Sequence, residues 1–177
     1  MSFSQRLLFL CDRFDQFFIK LGYYVSYLFL FIVAIGFYEV IVRYIFSSPT
    51  IWVHEVTTFL VSLSLLYGGV ACYANNKHIA MTFIRQQFSA RVRWGLELLV
   101  EIFVFIFFVL LSYGSYLSAV EAFFTPMGTF KMQTSGTVLD TPFPAIEKGF
   151  FFISCLMVLV LSVLHIFRHL VTKNQEG

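Results

Sequence analysis

Glu39, Arg43, Trp52, His54 and Glu55 are the densest group of chemically capable side chains in the sequence. Glu39 and Arg43 stand four residues apart, which puts them on one helix face as an ion pair. Glu55 opens an apolar stretch, where a carboxylate gains from the partial positive charge of a helix N-terminus. Two roles fit this cluster: an ion-pair corner that fixes a helical hairpin, or a docking patch for another membrane subunit. Four histidines offer a different chemistry. His78, His165 and His169 fall at ends of apolar stretches on one side, so His78 with His165 or His169 could hold a haem across a bundle, although no spacing motif accompanies them. Arg168 and His169 read as solvated interface residues. Nucleophile, phosphate-loop and paired-carboxylate motifs are missing, so we expect no enzyme, catalytic residue, metal or cofactor. Cys11, Cys72 and Cys155 lie in or near apolar segments without CxxC spacing and read as small buried hydrophobes.

The elements that must position these residues follow from composition. Of 177 residues, 59% are hydrophobic and only 12% charged, too few charges to clothe a soluble domain. Four runs free of Asp, Glu, Lys and Arg stand out: Leu21 to Tyr38, Val56 to Ala74, Ile102 to Val120, and Gly149 to Leu164. Each approaches the roughly 20 residues a helix needs to cross a bilayer, and none alternates as a barrel strand does. The expected fold is therefore an all-α integral membrane protein with spans at 21–46, 53–75, 91–123 and 148–171. Phe3, Leu7, Leu10, Phe14 and Phe17 recur by threes and fours, so 2–20 reads as an amphipathic helix, either flat on the membrane surface before the chain turns inward or a plain extension of the first span. The cationic stretch 77–90 reads as a second interfacial helix or elbow.

Several sequence signals bear on helix ends and contacts. Ser47, Ser48 and Pro49 stop the first helix, and Trp52 suits an interfacial aromatic belt. Gly68 and Gly69 are small enough to admit a close helix neighbour. Arg93 and Glu97 can pair at the start of the third helix, so Glu97 and Glu101 read as polar surface. Residues 124–147 form the one long external loop, with 129–141 suited to a hairpin about Ser135-Gly136. Phe130, Lys131 and Asp140 are its candidates for contact with an external partner. The central portions of the spans carry no ionisable residue, which argues against a midplane transport site or a proton relay.

Nine of the 12 Lys and Arg residues fall on the side of the termini and the middle connection, and three on the other. The positive-inside rule then places both termini in the cytoplasm. A net charge of +2 with dispersed basic residues excludes nucleic acid as a partner.

Arg43-Tyr44-Ile45-Phe46, then Trp52-Val53-His54-Glu55, then Asn76-Lys77-His78-Ile79, then Val138-Leu139 to Pro142 with Pro144 and Gly149, occur in that order. In this order and spacing, over most of its length, the chain resembles the small Q-type membrane subunit of tripartite ATP-independent periplasmic (TRAP) transporters. The resemblance implies a scaffold in a bacterial inner membrane, paired with a large M-type subunit that moves substrate with a sodium gradient. It also implies a periplasmic binding protein that delivers an organic acid such as a C4-dicarboxylate or sialic acid. Glu39, Arg43, Trp52, Glu55, Gly68, Gly69 and His78 are then candidates for the subunit interface.

Overall fold

The computed structural model describes residues 3–75 and 90–176. They form four helices: α1 (Phe3–Ile45), α2 (Trp52–Ala74), α3 (Ala90–Phe123) and α4 (Phe143–Glu176). Each contains a segment long and apolar enough to cross a membrane, at Asp12–Ile45, Trp52–Ala74, Trp94–Phe123 and Phe143–Val171. The fold class expected from the sequence is the one observed.

Of the two readings of 2–20, α1 follows the second. It continues unbroken through residue 20 for 43 residues, on the order of 65 Å at 1.5 Å per residue. Asp15 and Phe18 are buried against the rest of the subunit, so packing holds this segment in line with the span. The helix closes where Ser47 takes a left-handed backbone (φ 50°) and the Ser48 N–H reaches the Val42 carbonyl at 3.3 Å. Pro49 then bars its continuation. The expected elbow at 77–90 lies outside the described residues except for Ala90, where α3 begins.

α4 begins earlier than the sequence suggests. Pro144 sits in its first turn, where a missing N–H costs nothing, so the connection between α3 and α4 shortens to 124–142. That loop contains no hairpin, only an isolated bridge between Phe124 and Phe130. The N–H groups of Lys131 and Gln133 instead bond the carbonyls of Phe123 and Ala122 in the last turn of α3, at 3.0 and 2.7 Å. With those donors committed, no ladder can form about Ser135-Gly136. The chain there closes a small turn of its own, with the Ser135 N–H on the Thr141 carbonyl at 2.9 Å.

Packing runs in the order α1, α2, α4, α3. α4 lies against both α2 and α3, α1 lies against α2, and α2 and α3 make no close approach among the described residues. The core gathers Phe18, Tyr67, Val70, Tyr73, Ala74, Val158 and Leu161 from three helices. α1 crosses α2 where Gly22 meets Ala71: a Cβ at Gly22 would stand 2.5 Å from the Ala71 Cβ. The close approach that small residues permit therefore falls here. At Gly68 and Gly69 an added Cβ would meet nothing within 4 Å. Beyond this crossing α1 is largely bare, with Tyr24, Leu30, Val33 and Phe37 exposed, as suits a helix facing hydrocarbon or a membrane partner.

Candidate functional site

All four helices contribute to a single buried polar node at the end of the molecule that carries both chain termini. Asp15 comes from α1, Tyr73 from the last turn of α2, Glu101 from α3 and His165 from α4. Their side chains are almost wholly enclosed, Glu101 at 1% exposure and His165 at 2%. His165 Nε2 lies 3.3 Å from Asp15 Oδ1, and His165 Nδ1 lies 3.6 Å from Glu101 Oε1. The Tyr73 hydroxyl donates to Glu101 Oε2, and its ring stacks on the imidazole with centroids 5.2 Å apart. Arg168, one turn beyond His165, brings its guanidinium to 3.4 Å from Asp12 and 3.7 Å from Asp15.

The chemistry of this node is charge compensation in a site the protein closes off. A carboxylate buried alone in a span is expensive, and such groups persist where they are paired. Here three carboxylates meet a guanidinium and an imidazole. Both His165 nitrogens face carboxylates. Nε2 bonds the Asp15 carboxylate, while Nδ1 faces Glu101 at 3.6 Å, beyond hydrogen-bond reach. His78, the other half of the haem reading, lies outside the described residues.

The node corrects two sequence readings. Glu97 and Glu101 are buried acids, not polar surface. Arg168 is an ion-pair partner and not merely solvated. His169 accepts through its backbone carbonyl from the Trp94 indole at 3.5 Å. The spans also hold ionisable groups that counting uncharged runs excludes.

At the opposite end the expected Glu39–Glu55 corner resolves into two separate ties. Arg43 donates to Glu39 Oε1 from Nη2 at 3.0 Å, and the Thr50 backbone N–H reaches the same oxygen at 3.3 Å. The Thr50 hydroxyl takes Oε2. This closes the α1–α2 hairpin, with Trp52 beside Tyr38, ring centroids 6.2 Å apart. Glu55 belongs to the 124–142 loop instead. Its carboxylate accepts from the Ser135 hydroxyl at 3.0 Å, the Thr141 hydroxyl at 2.7 Å and the Thr137 hydroxyl. His54 and Glu55 line a small cavity of about 190 Å3 with Ser135, Thr141 and Glu147.

The loop so anchored offers exposed apolar side chains: Met127, Phe130 and Val138 are 93%, 65% and 83% exposed. Phe130 rests its ring against Phe124 at 5.8 Å, and Lys131 and Asp140 are exposed elsewhere on the loop.

Comparison with known protein families adds the deciding observation. Residues 32–175 match the family described as the DctQ component of tripartite ATP-independent periplasmic transporters. The chain belongs to the DctQ family. It is thus a membrane subunit of a TRAP transporter, from a family of transporter components and not of enzymes. No curated protein matches it. Within this DctQ subunit the matched stretch includes Glu101, Tyr73 and His165, while Asp12 and Asp15 precede it.

Proposed function

We propose that this DctQ subunit is the scaffold on which a large M-type subunit works in a sodium-coupled, binding-protein-dependent transporter for organic acids of the C4-dicarboxylate or sialic acid type. The observation that carries the reading is the distribution of polar groups. Asp15, Glu39, Glu55, Glu101 and His165 are all engaged in ties within the chain. The flank of α1, in contrast, is exposed and apolar. A rigid body with a wide apolar flank suits a support, and nothing in that role requires contact with substrate. Both termini are cytoplasmic in this reading, in keeping with the basic residues on that side. The 124–142 loop then faces the periplasm, where Phe130, Lys131 and Asp140 are placed to meet the binding protein. Glu39, Arg43, Trp52, Gly68, Gly69 and His78 remain candidates for contact with the large subunit.

The test is deletion of this chain with the large subunit and binding protein retained. Sodium-driven uptake should vanish and return when the chain is supplied in trans. Full uptake without it would remove the proposal.

A further inference from the structure

α3 carries an exposed apolar stripe at helical spacing, Leu110, Tyr113, Leu117 and Val120, and Phe124 extends it by one more turn. The Phe124 N–H still bonds the Val120 carbonyl at 2.8 Å. The chain then turns tightly, with the Gly128 N–H on the Thr125 carbonyl at 2.8 Å and the Thr125 N–H on the Thr129 carbonyl at 3.0 Å. Gly128 supplies the left-handed backbone of this turn at φ 78°. Met127 stands at its tip, 93% exposed, and the Phe130 ring meets Phe124 edge-on.

We propose that Phe124 and Met127 are immersed in the head-group layer of the phospholipid bilayer, at the end of the subunit away from its termini. Height places them there. The Tyr73 hydroxyl is bonded to Glu101, and from that tie α2 back to Trp52 and α3 on to Phe123 are both roughly 32 Å long. α3 therefore ends level with Trp52, whose ring lies beside Tyr38. Glu55, in the first turn of α2, holds Ser135 and Thr141 at nearly the same height. α1 runs on from Tyr38 to Ile45, about 10 Å further out, and Tyr44, Ile45 and Phe46 are exposed there. The apolar surface of the subunit thus reaches beyond the level at which this loop begins. Irregular backbone is tolerated against lipid only where its polar groups are satisfied within the protein. The N–H groups of Thr125, Gly128, Lys131 and Gln133 all bond carbonyls of the loop or of the last turn of α3. Lipid is preferred to a protein partner because α1 and α3 stand on opposite sides of the α2–α4 pair among the described residues. That choice rests on the reading of the α1 flank as the support for the large subunit, which leaves the α3 stripe to the bilayer.

A nitroxide reports the surroundings of each position. In a chain with Cys11, Cys72 and Cys155 replaced by Ala, Met127→Cys, Phe124→Cys, Leu117→Cys and Ser48→Cys are each spin-labelled in phosphatidylethanolamine–phosphatidylglycerol vesicles. Collisions with oxygen, which concentrates in lipid, are compared with those of a water-soluble nickel chelate. Labels at 124 and 127 should favour oxygen as the label at 117 does, several-fold more than the label at 48 in the α1–α2 turn. A label at 127 that behaves like the one at 48 overturns the proposal. The measurement is repeated with the large subunit and binding protein present. An unchanged oxygen preference supports lipid as the occupant. Shielding from both reagents shows a protein on this face and overturns the proposal, while the scaffold reading still stands or falls by uptake after deletion. Should the cysteine-free chain lose helicity, the unmodified chain decides. The fold itself leaves Met127 bare, so in vesicles hydrogen peroxide should oxidise it to the sulfoxide several-fold more slowly than in a free peptide of residues 124–142. Equal rates overturn the proposal.

Discussion

His165 and Asp15 stand 150 positions apart in sequence and 3.3 Å apart in the folded subunit, joined by an imidazole nitrogen and a carboxylate oxygen. This contact, with Glu101 on the other side of the ring, ties the first helix to the last two at a point the fold encloses almost completely. Removing His165 should therefore be worse than removing a surface charge. We expect His165→Leu to destabilise the subunit by about 3–5 kcal/mol, the range for stripping one partner from buried charges. Glu101→Gln, which keeps the shape and an acceptor for Tyr73, should cost less. Thermal unfolding in detergent orders the two, and equal melting temperatures would contradict the assignment.

Gly22 and Ala71 make a second prediction, because the space between them is too small for one more methyl. Gly22→Ala should force α1 off α2 at a cost of about 1–3 kcal/mol, the usual range for overpacking. Combining it with Ala71→Gly should restore much of the loss. If the double variant is no more stable than Gly22→Ala alone, the crossing is not where the structure puts it.

Glu55 bears on the loop and not on the spans. Glu55→Ala leaves the hydroxyls of Ser135, Thr137 and Thr141 without their common acceptor. A loss of about 1–2 kcal/mol in loop anchoring raises the open fraction by a factor of roughly 5–30. Limited proteolysis within 124–142 should speed up by that factor while helicity is unchanged. No change in cleavage rate would show that the three hydroxyls do not hold the loop.

Glu39 and Arg43 should respond unequally. The Arg43 side chain is 56% exposed, and exposed ion pairs contribute little, so Arg43→Ala should leave the melting temperature nearly unchanged. Glu39→Ala also releases both groups of Thr50 and should loosen the α1–α2 turn, read as faster amide exchange at residues 46–51. Equal effects of the two substitutions would reduce the site to a simple pair.

Much of this architecture is legible in the sequence because lipid leaves a chain few choices: apolar runs near the bilayer thickness become helices, and Pro49 and Trp52 mark a hairpin. The node is not legible by the same route. Counting uncharged residues ends a run at its first charge, so Asp15 and Glu101 fall outside the runs although each lies in an apolar helix that continues past it, and His165, within the expected fourth span, has no local partner to mark it. One signal was available in Glu97 and Glu101, two acids four apart in a single helix that only a counter-charge from elsewhere makes tolerable. Gly68 and Gly69 are not where the helices of this chain approach closely. Glycine permits a close approach without demanding one, and Gly22 opposite Ala71 is where the helices use it. The turn about Ser135-Gly136 is real, but Lys131 and Gln133 find the free carbonyls at the end of α3, which local pattern cannot reveal.

The order α1, α2, α4, α3 has a consequence for biogenesis. α3 packs chiefly on α4 and α2 also needs α4, so the third helix enters the bilayer before the helix that supplies most of its packing. Asp15 and Glu101 are already inserted by then, and their imidazole counterpart sits on the last helix to be synthesised. Until that helix emerges, two carboxylates wait uncompensated near the membrane surface. Truncation or slow synthesis of the final 35 residues would thus leave an inserted but unassembled chain, exposed to the proteases that clear orphaned membrane segments.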